Sequence, residues 1–344
     1  MTTETTTRAI DPTYGSDQYG LVWAYHFSRN QPGRLITSES VVEFLTALAG
    51  TRPVEFLWLH FSLSNSACEH WLRQNLNLPN AFYQSLHIDA GATRLEQVSN
   101  WLVAVIHDVL FDFKFDPSEV ATTSLCVGQH LLVSARLRPL RSIDRLRSAV
   151  REGRAFRSPA ALLAHLLRDQ FDVLVEILRQ STQRTDQIED KLLAYRPTLG
   201  RSELGSLRRV LVRLQRLLAP EPAAFFRLLN HPPDWVTEED LQDLRRAAEE
   251  FSAVVGDAAA VIERVKILQE ELTALVTEQT GRTIFVLTIF TVLALPINVV
   301  AGLFGMNVGG IPLAQNGSGF FLIVGMLAAL TAVLAYLALF KHRD

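Results

Sequence analysis

Two apolar runs dominate the C-terminal end of the chain. Thr283–Phe304 and Gly319–Phe340 are 22 residues each, and no Asp, Glu, Lys or Arg occurs anywhere from Thr283 to Phe340. A membrane-spanning helix needs about 20 such residues. The pattern therefore predicts two transmembrane helices, over 283–304 and 319–340, joined by a loop over 305–318. Upstream, the polar and apolar positions settle into a heptad-like alternation. Leu241, Leu244, Ala248, Phe251, Val255, Ala258, Ile262, Val265, Gln269, Leu272, Val276 and Gln279 recur by threes and fours, the spacing of a helix packed along one seam. From Thr237, a candidate N-cap, there is no Pro before Pro296 and no break before Gly305. The expectation is one helix of about 68 residues and roughly 100 Å that becomes the first span.

Earlier segments read differently. "GLVWAYHF", "EFLWLHF", "TSLCVG" and "HLLVSARL" are short strand-like runs bounded by turn residues, with "VGQH" as a hairpin turn. Between them, "VVEFLTALAG", "ACEHWLRQNL" and "LEQVSNWLVAVIHDVLF" read as helices. An α/β domain with a mixed sheet is expected over 19–140, after a polar, disordered tail over 1–18. A helical region follows over 141–236. It includes a helix with Ser158 as N-cap and Pro159 at its first position, running to about Tyr195, and another over about 202–218.

Charge fixes the orientation. Arg282 precedes the first span and Lys341 and Arg343 follow the second, while the connecting loop has no basic residue. Both termini are therefore expected on the cytoplasmic side of an inner membrane, with 341–344 as a short basic tail. The polar N-terminus lacks the apolar core of a signal peptide. Residues 1–282 hold 31 basic and 35 acidic residues, which gives no basic field for nucleic acid. The helix bearing Arg208, Arg209, Arg213 and Arg216 is expected to pair with the acidic long helix. That helix carries 11 acids against 4 bases between Glu238 and Thr280, read as a solvated face or as a field that concentrates cations. His60, Cys68, His70, His87, His107, Cys126 and His130 lack the close paired spacing of a structural zinc site. P-loop, dinucleotide and nucleophile-elbow motifs are absent, so the chain reads as no enzyme and no cofactor is implied.

Within the first span, Ile284, Thr288, Thr291, Leu295, Asn298 and Gly302 continue a spacing of threes and fours. Two Thr, an Asn and a Gly on one stripe suit contact with water or with another helix, not lipid. Pro296 leaves the Val292 carbonyl without its helical donor. "PINVVAGLFGMN" then ends the span. The Gly305-Met306-Asn307 tripeptide, its place between two C-terminal spans, the long helix and the mixed α/β domain together resemble the CorA superfamily of divalent-cation transporters. The continuation "VGGIP" lacks the acidic residue typical of magnesium-transporting members and is similar to the ZntB zinc branch.

That resemblance implies a funnel-shaped homopentamer in a lipid bilayer, its partners being copies of itself and divalent metal ions. It places Ile284, Leu287, Leu295, Asn298, Gly302 and Asn307 along one pore, beside the Thr288 and Thr291 derived from spacing. Five Asn307 amides would ring the outer mouth and read the hydration shell of the ion, since hard cations shed water reluctantly. Gly305 is expected to take a backbone conformation that ends the helix and, lacking a side chain, to permit close approach, and Met306 to pack. The cargo implied is Zn2+, with Mg2+ or a broad range of dications as the alternative and proton coupling left open. A different class is a membrane-anchored sensor or scaffold that conducts nothing.

Overall fold

The computed structural model describes residues 15–28, 31–48, 55–87, 94–193, 200–306, 312 and 317–340. The expected tail up to residue 14, Asn307 with most of the loop after it, and the basic tail over 341–344 lie outside the described residues. The chain divides into two units, residues 1–269 and 270–344.

Seven strands make one sheet in the first unit. They are β1 (Leu21–Phe27), β2 (Arg34–Ile36), β3 (Phe56–Ser62), β4 (Arg94–Val98), β5 (Trp101–Val109), β6 (Val120–Val127) and β7 (Leu131–Arg136), in the order β2-β1-β3-β7-β6-β5-β4. β3 and β7 pair in parallel and the remaining neighbours are antiparallel, so the sheet is mixed, as expected. The four strand-like runs of the sequence form β1, β3, β6 and β7. Gly128 stands in the turn between β6 and β7, where a Cβ would lie 2.5 Å from the Trp101 ring. Only Gly permits that approach.

The helix expected over "LEQVSNWLVAVIHDVLF" is instead the β4–β5 hairpin. β5 is buried on both faces: Leu102, Ala104 and Ile106 enter one core and Val103 the other. A strand covered twice loses the polar–apolar alternation that would have identified it. Its turn is also disguised, because Ser99 takes φ 54° where a Gly would have signalled a turn.

Strand alternation builds two cores. Leu57, Leu59 and Phe61 pack with residues of α1 (Ser38–Leu48), α2 (Ala67–Asn75) and α3 (Asn80–Ser85). Phe56 and Trp58 point to the other face. They join the core of α4 (Arg141–Arg151), α5 (Pro159–Leu193), α7 (Pro220–Leu229) and the first turns of α8 (Glu238–Phe304). α6 (Gly200–Leu218) lies against α5.

The base of α8 is fixed by capping and charge. Thr237 Oγ1 accepts the Asp240 N–H at 3.2 Å, and Ser158 Oγ accepts the Ala161 N–H at 2.9 Å, so both expected N-caps are formed. Arg157 bonds Asp240 at 2.8 Å and Asp243 at 2.6 Å, and pairs with Glu239 at 3.0 Å. Leu241, Leu244, Ala247 and Ala248 are buried in the sheet-side core. The seam of α8 in this unit is thus turned inward onto its own chain. The basic helix meets the long helix as expected, but through a neutral group: Arg208 donates to Gln269 of α8 at 3.3 Å, and among the described residues none of the four arginines is ion-paired with an acid.

Carboxylates are buried between β5 and the helices. Glu221 accepts the His107 backbone N–H at 2.7 Å and the Gln170 amide at 2.9 Å, and burial nevertheless pushes its carboxyl up. Asp169 on α5 is buried, and burial first, then the charge of Asp172, raise its carboxyl to about 7. A raised folded-state value means the native chain holds a proton that the unfolded chain releases. Stability from this group is therefore complete below about pH 4 and is lost as pH rises through about 7. Asp169→Asn should melt with the wild type near pH 4 and about 2–4 °C above it at pH 8, by scanning calorimetry in lipid. Equal melting at pH 8 would contradict the assignment.

Candidate functional site

The second unit holds the two apolar helices, the end of α8 and α9 (Gly319–Phe340). Both are long and apolar enough to cross a membrane, with mean hydropathy 2.5 and 2.2 in their richest windows. α8 continues through Pro296 without interruption.

Burial within this unit sorts the residues of the first span by face. The half-buried positions are Phe285, Ile289, Leu293, Pro296 and Val300, spaced by fours and a three. On α9 they are Ile323, Leu327, Thr331, Leu334 and Ala335. These are the least exposed sides of the two helices. Ile284, Leu287, Thr288, Thr291, Leu295, Asn298 and Gly302 are exposed. At 100° per residue their mean direction lies about 150° around the helix from the half-buried stripe of α8. The polar stripe is therefore on the opposite, exposed side of that helix.

The same stripe can be followed toward the first unit, and there the sequence reading slips. From Gln279 to Ile284 is five residues, not three or four, so the heptad seam does not run into the stripe. Leu272 is buried and Val276 half-buried, whereas Thr273, Thr277 and Thr280, one position on, are exposed and in line with Ile284. These threonines were missed. Their four- and three-residue spacing was the signal.

The hydroxyls share one geometry. Thr277 donates to the Thr273 carbonyl at 2.8 Å, Thr280 to Val276 at 2.8 Å, Thr288 to Ile284 at 2.8 Å and Thr291 to Leu287 at 2.9 Å. With its one proton returned to the backbone, each oxygen offers only lone pairs outward. A rung of such oxygens accepts hydrogen bonds. The water shell of a cation, whose protons point away from the ion, is the donor it suits.

At the end of the span Gly305 donates its N–H to the Ala301 carbonyl at 2.9 Å. A Cβ there would sit 3.0 Å from that same oxygen. Gly305 is not among the described positive-φ residues, so the expected close approach, here to the Ala301 carbonyl, is what calls for Gly. Met306 is half exposed, while a Cβ on Gly302 would meet nothing within 4 Å. Asn307, the expected selectivity residue, lies outside the described residues.

No group of three or more His, Cys, Asp or Glu among the described residues could hold a metal ion. The histidines weighed as zinc ligands are used elsewhere. His60 bonds Ser134 at 2.7 Å and accepts from Arg136 at 3.1 Å, His107 bonds Glu221, and His130 bonds the Glu55 carbonyl at 3.0 Å. Cys68 and Cys126 are buried free thiols, and burial pushes the Cys68 thiol up to about 12 and raises Cys126 further. Neither forms a thiolate readily.

The profile of a family described as CorA-like Mg2+ transporter protein matches residues 54–342. The chain is 27% identical to the divalent cation transporter CmaX of Pseudomonas aeruginosa, over 89% of this chain and 91% of that protein. It is 24% identical to the zinc transport protein ZntB of Pectobacterium carotovorum, over 81% and 85%. Among solved structures, that of full-length CmaX superposes with a TM-score of 0.78 at 24% identity, covering 94% of this chain and 99% of the other.

Because the native thiols are inert, introduced cysteines report their own surroundings. Asn298→Cys and Thr291→Cys in membrane-embedded protein should react with a charged methanethiosulfonate about tenfold faster or more than Ile289→Cys and Leu293→Cys, since the thiolate is the reactive form and needs water. Equal rates on the two faces, followed by mass spectrometry, would remove the aqueous stripe.

Proposed function

This chain belongs to the family of CorA-like Mg2+ transporter proteins, and on that premise we propose that it conducts divalent metal cations across the inner membrane, with Zn2+ as its cargo. The observation that carries the reading is the polar stripe of α8, which lies opposite the half-buried side of the helix and is exposed among the described residues. Identical copies supply the cover. In a homopentamer five α8 stripes enclose one path, and Gly302, against which nothing packs in a single chain, is where neighbouring spans approach closely.

Along that path the threonine and Asn298 rungs accept hydrogen bonds from a hydrated dication. Ile284, Leu287 and Leu295 form apolar constrictions that close by dewetting. Five Asn307 side chains at the outer mouth hold the water shell through neutral amide oxygens, which attract the ion without the deep binding of a carboxylate ring. The absence of acidic and basic side chains from the spans leaves the ion gradient as the driving force, and any proton coupling to water or to groups outside the membrane. Arg282, Lys341 and Arg343 support cytoplasmic termini.

Zn2+ as cargo is supported by similarity to proteins named for zinc transport over 81% of the chain. A broad divalent range is the second reading, favoured by the likeness to CmaX, named a divalent cation transporter, and by rungs that are all uncharged. Flux into proteoliposomes separates them. Zn2+ entry should exceed Mg2+ entry, and equal entry would select the broad range. Asn307→Ala should cut flux about tenfold or more, whereas unchanged flux in that variant, together with none for either ion in the parent, would make the protein a non-conducting anchor. Leu287→Ser should raise basal leak through loss of an apolar constriction; an unaltered leak counts against that gate.

A further inference from the structure

α6 carries five arginines against one acid, Glu203. Among the described residues none of the five forms an ion pair. Arg209 and Arg213 stand four apart and Arg213 and Arg216 three, spacings at which like charges on a helix repel. Arg208, Arg209, Val212 and Arg216 are exposed on one side of the helix, and Val212 is 41% exposed in their midst. Arg is the cation enriched where protein surfaces meet.

Contacts within the chain fix what lies level with that face. Arg208 donates to Gln269 of α8 at 3.3 Å. Past the other end of α6, Glu221 accepts from Gln170 of α5 at 2.9 Å, and Arg168, on the same stretch of α5, donates to Asp243 of α8 at 3.2 Å. Val212 and Arg216 are therefore level with the part of α8 between Asp243 and Gln269. On its exposed side that part presents Asp257, Ala260, Glu263 and Ile267, spaced by threes and a four. Ile267 is 55% exposed. Asp257 has no ion pair among the described residues, and Glu263 bonds Lys266 of its own helix at 3.0 Å. Arg264 is committed to Asp186 and Glu189 of α5, at 2.7 and 2.6 Å. A Cβ on Gly256 would meet nothing within 4 Å, so Gly256 and Ala260 leave room for long arginine side chains.

We propose, on the homopentamer of the proposed function, that the Arg208, Arg209, Val212 and Arg216 face of α6 docks on the Asp257, Glu263 and Ile267 face of α8 in the next copy of this chain. Rotation about an axis along α8 preserves the level of every residue. Each copy then offers its acids and Ile267 at the height where its neighbour offers arginines and Val212. The two faces are opposite in sign, and the two aliphatic side chains leave water together. Arginine suits this role because its planar fork holds a carboxylate through two parallel bonds. The faces differ from each other, so the contact is head-to-tail, the kind that closes into a ring.

Two differently tagged chains test this, one carrying Val212→Cys and the other Ile267→Cys, co-expressed and oxidised in lipid nanodiscs. The native thiols are buried. A disulfide-linked heterodimer bearing both tags is expected as the main product. Arg216→Glu in both chains should lower its yield several-fold, and Asp257→Arg added to Arg216→Glu should restore it, because opposite charges again face each other. All four substituted positions are exposed, the melting transition shows that each variant folds, and native mass spectrometry counts the copies. An assembly of five copies that lacks the heterodimer, or whose yield is unaltered by Arg216→Glu or not restored by Asp257→Arg, would overturn the docking alone. A protein that remains a single copy would overturn it together with the pentamer. Absence of the heterodimer, with phosphatidylglycerol vesicles retaining the parent but not Arg216→Glu, would overturn it in favour of a lipid surface.

Discussion

A backbone amide inside hydrocarbon has no water to bond, so a chain that crosses a membrane must satisfy every N–H and C=O from within. Here that constraint acts on a segment without a single acidic or basic side chain from Thr283 to Phe340. It makes the end of α8 helical by necessity. The rest of α8 is helical for another reason, since Leu241, Leu244, Ala247 and Ala248 are packed on the sheet. One helix thus obeys two solvents. Its soluble stretch is anchored by Arg157 to Asp240 and Asp243, and its apolar stretch is half-buried on one side only.

The side left open follows from the same constraint. Lipid offers nothing to an Asn amide or a Thr hydroxyl. The threonines partly solve this alone, by returning their protons to the carbonyls four residues back. Their oxygens and Asn298 still need a donor. In the proposed assembly a wet path between copies of the chain would supply one. Pro296 lies on the half-buried stripe of the helix and not on the exposed polar one.

What could be read from the sequence was what a single periodicity or composition reports. The two apolar runs, the caps at Ser158 and Thr237, and the strands β1, β3, β6 and β7 were legible because each has one covered face or one sharp boundary. β4 and β5 were not, since β5 is covered on both faces and its turn is built on Ser99, not on Gly. The polar stripe proposed to line the path was drawn within the span, where polar residues stand out against an apolar background. In the soluble part of α8 charges and apolar residues mix, and the seam drawn through Leu272, Val276 and Gln279 followed the buried side instead of Thr273, Thr277 and Thr280. Of the two roles read for Gly305, the close approach permitted by its lack of a side chain is the one that the Ala301 carbonyl fits.

The central claim is that α8, and not α9, borders the ion path, with the stripe from Thr273 to Gly302 turned toward it. An electron-cryomicroscopy reconstruction of the purified assembly in a lipid bilayer measures this directly. The account predicts five copies around one axis, with Thr288, Thr291, Asn298 and Gly302 facing it and α9 on the lipid side. An assembly with α9 at the axis, or with Asn298 and the threonines turned to lipid, would contradict it.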